Sequence, residues 1–182
     1  MATSACQTHE QKARAKLEAM GVAYSERGFL QKVQEGDNTA IQLFLAAGMQ
    51  QNKPALQRAL FLAVPHGKAG VARELIASGA DVNANSGHVF RTLLMNAITN
   101  GNTEVARELI TSGADVNAKA FGGETALLVA VGVRNAVIVH ELIAHGADVN
   151  AKDNDGMTAL RLAKQLGVAE VVRELQRAGA KE

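Results

Sequence analysis

Apolar residues along the chain fall into short stripes separated by glycines, and the pattern returns about every 33 residues. The clearest copy is AKDNDGMTALRLAKQLGVAEVVRELQRAGA, from Ala151 to Ala180. Leu160, Leu162 and Ala163 form the stripe of a first helix, and Thr158 stands where an N-cap hydroxyl accepts from the free amides of the first turn. Gly167 ends that helix in the left-handed conformation that costs glycine little. Val171, Val172 and Leu175 form the stripe of a second helix, and Gly179 closes it. The predicted unit is turn, helix, short loop, helix, turn.

Three ladders carry this unit back along the chain. Gly79, Gly113, Gly146 and Gly179 are 34, 33 and 33 apart, and Leu60, Leu94, Leu127 and Leu160 take the same steps, as do Ala63, Ala97, Ala130 and Ala163. Such self-similarity marks a repeat architecture, in which each unit buries its apolar face only against its neighbours. The ladder residues are therefore predicted core. Upstream, FLQKVQEGDNTAIQLFLAAGM from Phe29 to Met49 reads as a first, atypical unit with Gly36 and Gly48 at its helix ends. Before it, EQKARAKLEAMG from Glu10 to Gly21 is a short helix former that stops at a glycine and is predicted to cap the first unit. Gln176 occupies the position held by Ile76, Ile110 and Ile143, as suits a last unit with no neighbour.

With GADVNA at 79–84, 113–118 and 146–151, DGMTAL at 155–160 and GGETAL at 122–127, the pattern resembles the ankyrin repeat from about Tyr24 to the C-terminus. The resemblance implies an all-α solenoid of helix-turn-helix repeats with short β-turn fingers and an N-terminal helical cap. Its expected divisions are a tail and capping helix over 1–23, then a repeat domain over 24–182 of about five units: 24–52, 53–84, 85–118, 119–151 and 152–182. There are departures from the family pattern. The first helices open with TALR, TALL and TLLM, where the family has Thr-Pro-Leu-His, which leaves histidine hydrogen bonds between neighbouring units unsupported but not the apolar stacking. Arg134 stands where the family has glycine, so a strained turn is expected at Arg134 or Asn135. An extra residue near Ser86-Gly87 predicts a bulged finger, and GMQQNKPAL in the second unit replaces most of a finger.

Composition narrows the function classes. The chain has 182 residues and a formal net charge of +1, from 19 Lys plus Arg against 18 Asp plus Glu, so there is no general field for nucleic acid or anionic lipid. The apolar run from Ala126 to Val133 stops at Arg134 and Asn135, well short of the roughly 20 residues a membrane span needs. Cys6 is the only cysteine, which excludes an intrachain disulfide. A cytoplasmic monomer is the expectation. Thr3-Ser4-Ala5-Cys6 keeps one alternative open, since small residues before a cysteine resemble a bacterial lipoprotein cleavage site. The chain would then be an exported or lipid-anchored module, periplasmic or secreted and trimmed of its export signal, with a structural or inhibitory role.

One stretch suggests chemistry. HELIAHGADVN, His140 to Asn150, approaches a zinc-protease helix, but its histidines are five apart instead of four. At about 100° per residue they point about 140° away from one another, so one ion cannot readily bridge them. The same words recur as RELIASGADVN and RELITSGADVN with Arg and Ser at those places, as at tolerant surface positions. His9, His66 and His88 are scattered through predicted tail or loops, and no nucleophile elbow, phosphate loop or cysteine-rich metal spacing is present. No catalytic residue, metal or cofactor is assigned. The Arg-Glu pairs at 73/74, 107/108 and 173/174, with His140-Glu141 between them, are predicted to sit on a solvated face and pair weakly across repeats.

The resemblance implies a non-enzymatic module that binds another protein through a concave face and its fingers. Carried onto this chain, the family pattern puts Val89 and Arg91, Phe121 and Glu124, and Asn154, Asp155 and Met157 on successive fingers. Val133 and Leu166 lie at the adjoining helix ends, with His66, Thr99, Asn100 and Gln165. Val89, Phe121, Val133, Met157 and Leu166 would form an apolar strip with polar neighbours. The opposing expectation is that Phe121 and Val89 fold back onto their own fingers.

Overall fold

Caps and glycines set where each helix begins and ends. In the computed structural model, which describes residues 2–84 and 91–181, the chain forms eleven α-helices and two 3-10 turns among those residues. It divides into two compact units, Met1–Asp81 and Val82–Glu182.

The first unit holds α1 (Ala2–Ala19), α2 (Glu26–Glu35), α3 (Asn38–Ala46), α4 (Lys53–Ala63) and α5 (Ala69–Ala77). Ser25, Asp37 and Asn52 cap α2, α3 and α4, each side chain accepting from the amide three residues on. A 3-10 turn over Met49–Gln51 stands in place of a finger. First helix packs on first helix, α2 on α4, and second on second, α3 on α5. Phe29, Val33, Phe44, Leu56 and Leu60 fill the space between them. Phe44 also touches Phe29 and Tyr24, at ring-centroid distances of 5.5 and 5.7 Å.

Helix α1 corrects the predicted cap in two ways. It starts at Ala2, where Glu10 was expected, because residues 2–9 carry no apolar stripe to announce them. It is also built as the second helix of a repeat. Gly21 ends it at φ +70°, with the Gly21 amide donating to the Glu18 carbonyl at 2.8 Å and the Val22 amide to the Leu17 carbonyl at 2.9 Å. The same pair of bonds closes first and second helices alike, at Gly36, Gly67, Gly101 and Gly167 as well as at Gly79, Gly113, Gly146 and Gly179. Packing is what marks α1 as a second helix: it lies on α3, as second helices do on one another. Arg14 secures it, donating to the Ala47 carbonyl and lying 4.4 Å from the Tyr24 ring centroid. Glu18 holds the position in α1 that Ile76 holds in α5, and it is exposed, as is Gln176 at the matching position of α11.

The second unit holds α6 (Leu93–Thr99), α7 (Thr103–Thr111), α8 (Ala126–Gly132), α9 (Ala136–Ala144), α10 (Ala159–Gln165) and α11 (Ala169–Arg177). Thr92, Thr125 and Thr158 cap the three first helices, accepting from Met95, Leu128 and Arg161 amides. Helix α8 packs on α6 and α10, and α9 on α7 and α11. Leu94, Ala97, Leu127, Ala130, Leu160 and Ala163 are at most 2% exposed, as expected of the ladders. The stripe is narrower than predicted: Leu162 and Val172 are only half buried.

Between units of the repeat, asparagine supplies the hydrogen bonds that the missing histidines do not. In each GADVNA the asparagine reaches the next copy. Asn117 Nδ2 donates to the Gly146 carbonyl at 3.0 Å while its Oδ1 accepts from the Asp148 amide at 2.8 Å. Asn83 does the same to Gly113 and Asp115, and Asn150 to Gly179 and Lys181. Along the second helices, Arg107 pairs with Glu141 at 3.2 Å and His140 with Glu174 at 2.7 Å. These contacts are open to solvent, His140 most of all, and each is worth at most about 1 kcal/mol.

The inter-helix turns explain Arg134. Gly101 and Gly167 adopt φ +71° and +69° in their turns, and Arg134 adopts φ +59°, the only non-glycine residue with positive φ among the described residues. The predicted strain thus falls on Arg134 itself. The bulge expected at Ser86-Gly87 lies outside the described residues.

Candidate partner-binding surface

Two β-turn fingers project between the helix pairs of the second unit. Each closes on an antiparallel bridge, Lys119 with Thr125 and Lys152 with Thr158. In the first, the Ala120 amide donates to the Glu124 carbonyl at 2.8 Å and the Gly123 amide to the Ala120 carbonyl at 3.0 Å. In the second, Asp153 Oδ1 accepts from the Asp155 and Met157 amides at 3.0 and 2.8 Å. The Asn154 amide donates to the Gly122 carbonyl at 2.8 Å, so each finger braces the other. Gly123 is buried at this contact with φ +78°, and a Cβ there would lie 2.6 Å from Asn154 Oδ1 and 3.0 Å from the Asn154 backbone nitrogen.

That bracing holds Phe121 outward, 79% exposed, so it does not fold back on its finger. Beside it runs an open groove of about 660 Å³ between the fingers and the first helices. Six of the predicted contact residues line it: Arg91, Phe121, Glu124, Val133, Asp155 and Met157. Asn154 is exposed and Leu166 half buried, and neither lines the groove. Val89 lies outside the described residues.

Two of the lining residues are engaged with each other. Arg91 Nε and Nη2 donate to Glu124 Oε2 and Oε1 at 2.8 and 2.9 Å, and Arg91 Nη1 donates to Thr99 Oγ1 at 2.8 Å. A two-pronged pair of this kind joins neighbouring repeats and fixes both side chains, which are 38% and 30% exposed. Its components were legible singly, but the pairing was not.

Several floor and wall residues escaped the sequence reading, among them Leu128, Leu162 and Asp153. Leu162 was read as part of the buried stripe of α10, but it is only half buried and lines the groove. Gly132, in the column of Thr99 and Gln165, contributes no side chain and leaves room beside Val133, which is 42% exposed.

The near-zinc stretch has a different fate. His140 Nδ1 meets Glu174, while His145, the C-cap of α9, meets the Glu141 carbonyl at 2.8 Å. Among the described residues no group of three or more His, Cys, Asp or Glu is placed to hold a metal ion. Nor is any described helix long and apolar enough to cross a membrane.

Paired helices, glycine-closed ends and bracing fingers define a helix-turn-helix repeat protein. A family model described as ankyrin repeats, in three copies, matches residues 29–120 and 94–181, and the chain belongs to that family. No curated protein shows a significant match. Ankyrin repeats generally serve protein–protein interaction and are typically non-enzymatic.

Proposed function

We propose that this protein is a non-enzymatic binding module and that the groove from Arg91 to Met157 is where it grips a partner protein. The observation that carries this reading is Phe121. A large aromatic side chain left 79% in water on a finger braced by its neighbour is an anchor prepared in advance. Aromatic anchors dominate interface energies, and one carried on a backbone that is already fixed costs little further backbone freedom on binding. Val133 and Met157 extend the apolar surface along the groove, and the Arg91–Glu124 pair gives its rim a fixed polar edge.

The test is affinity capture from cells that express the protein, with wild type beside a Phe121→Ala, Met157→Ala double variant whose helicity is first checked by circular dichroism. Capture of a partner by wild type and its loss with the variant is the expected result. A partner retained undiminished by the variant would move the site elsewhere.

A further inference from the structure

Resting on the reading of this groove as the docking site, we propose that its occupant is a cationic-apolar segment of the partner, with a lysine or arginine close to a large apolar side chain. The lining carries one positive group, Arg91, against three negative ones, Glu124, Asp153 and Asp155. Arg91 is already matched by the bidentate contact to Glu124, so it offers little to an incoming anion. What remains is the pair of carboxylates on the second finger. Asp153 has one oxygen committed to the turn amides. Asp155 is exposed, and among the described residues its carboxylate takes no hydrogen bond or ion pair.

These carboxylates stand at the edge of an apolar wall made by Phe121, Val133, Met157 and Leu162. An apolar side chain from the partner covers that wall, and a neighbouring cation reaches Asp155. The arrangement discriminates by sign, because an acidic segment would bring like charges to the same edge. The phosphate backbone of a nucleic acid would meet the same repulsion.

The experiment is selection of a random-peptide display library on the immobilised full chain, followed by binding measurements with the synthetic winning peptides. The expected winners combine lysine or arginine with an aromatic or large aliphatic residue. Asp155→Lys should weaken them by about tenfold at low salt and by less at high salt, as screening requires. The Phe121→Ala, Met157→Ala variant should weaken them by about thirtyfold or more. A peptide whose cation is replaced by glutamate should recover affinity for Asp155→Lys, which separates charge pairing from any disturbance of the fold. Neutral or acidic winners, or winners lost with the double variant but indifferent to Asp155→Lys, would overturn the cationic assignment while leaving the groove in place. Winners indifferent to both variants would remove the groove reading itself. Failure to enrich any peptide would count against a preformed peptide site and so against both.

Discussion

Replacing Arg134 with glycine should stabilise the protein. Arg134 occupies the turn between α8 and α9 at φ +59°, where Gly101 and Gly167 serve the equivalent turns at φ +71° and +69°. A left-handed backbone costs a residue with a Cβ roughly 1–2 kcal/mol, because that atom crowds the following carbonyl. Against this, glycine gains freedom in the unfolded chain, worth about 0.5–1 kcal/mol. No side-chain contact is lost, since the Arg134 side chain is exposed and makes no hydrogen bond or ion pair among the described residues, while its backbone amide keeps its bond to the Val131 carbonyl. The net gain is about 0.5–1 kcal/mol, or about 2–6 °C in Tm if the second unit melts as one body. Gly101→Ala and Gly167→Ala provide the mirror experiment. A Cβ at either position meets nothing within 4 Å, so the expected loss of about 1 kcal/mol is conformational alone. Thermal and urea denaturation followed by far-ultraviolet circular dichroism would measure all three. If Arg134→Gly were neutral or destabilising, and the alanine variants cost nothing, the left-handed turn would not be a source of strain.

Three further changes probe the stacking. Asn117→Ala removes both hydrogen bonds to the following repeat and should cost about 1–2 kcal/mol by urea denaturation, whereas Asn117→Asp should retain the bond accepted from the Asp148 amide and lose the one donated to Gly146. Gly123→Ala combines positive φ with a 2.6 Å approach to Asn154, so it should cost about 1–3 kcal/mol and speed hydrogen exchange at the Asn154 amide. Ala130→Leu places extra methylenes in the fully buried seam where α8 packs on α6 and α10, and should lower stability by about 1–3 kcal/mol. A tolerated leucine there would mean the seam is looser than its burial indicates.

Much of the scaffold could be read from residues that act on their own few neighbours. A threonine at the head of each first helix of the second unit, a glycine at the foot of each second helix and leucine and alanine ladders in step with them specify helix ends and buried faces, because capping and left-handed turns are decided within about five residues. The one break in that grammar, arginine for glycine at position 134, showed in advance where backbone strain would lie. Helix α1 was harder to read, since its first eight residues carry no stripe and its identity as a second helix shows only in its packing on α3.

The groove belongs to a different level. Arg91 and Glu124 are 33 residues apart, and nothing near either one specifies that they grip each other; the stacking of their repeats decides it. The orientation of Phe121 likewise follows from Asn154 bracing Gly122 across the gap between fingers. By itself, then, the sequence determined the repeat, its helix ends and its buried ladders, because those rest on local backbone preference and on burial repeated at a fixed period. Only the tertiary structure decided which side chains were left facing water together, because that depends on contacts between segments a full repeat apart.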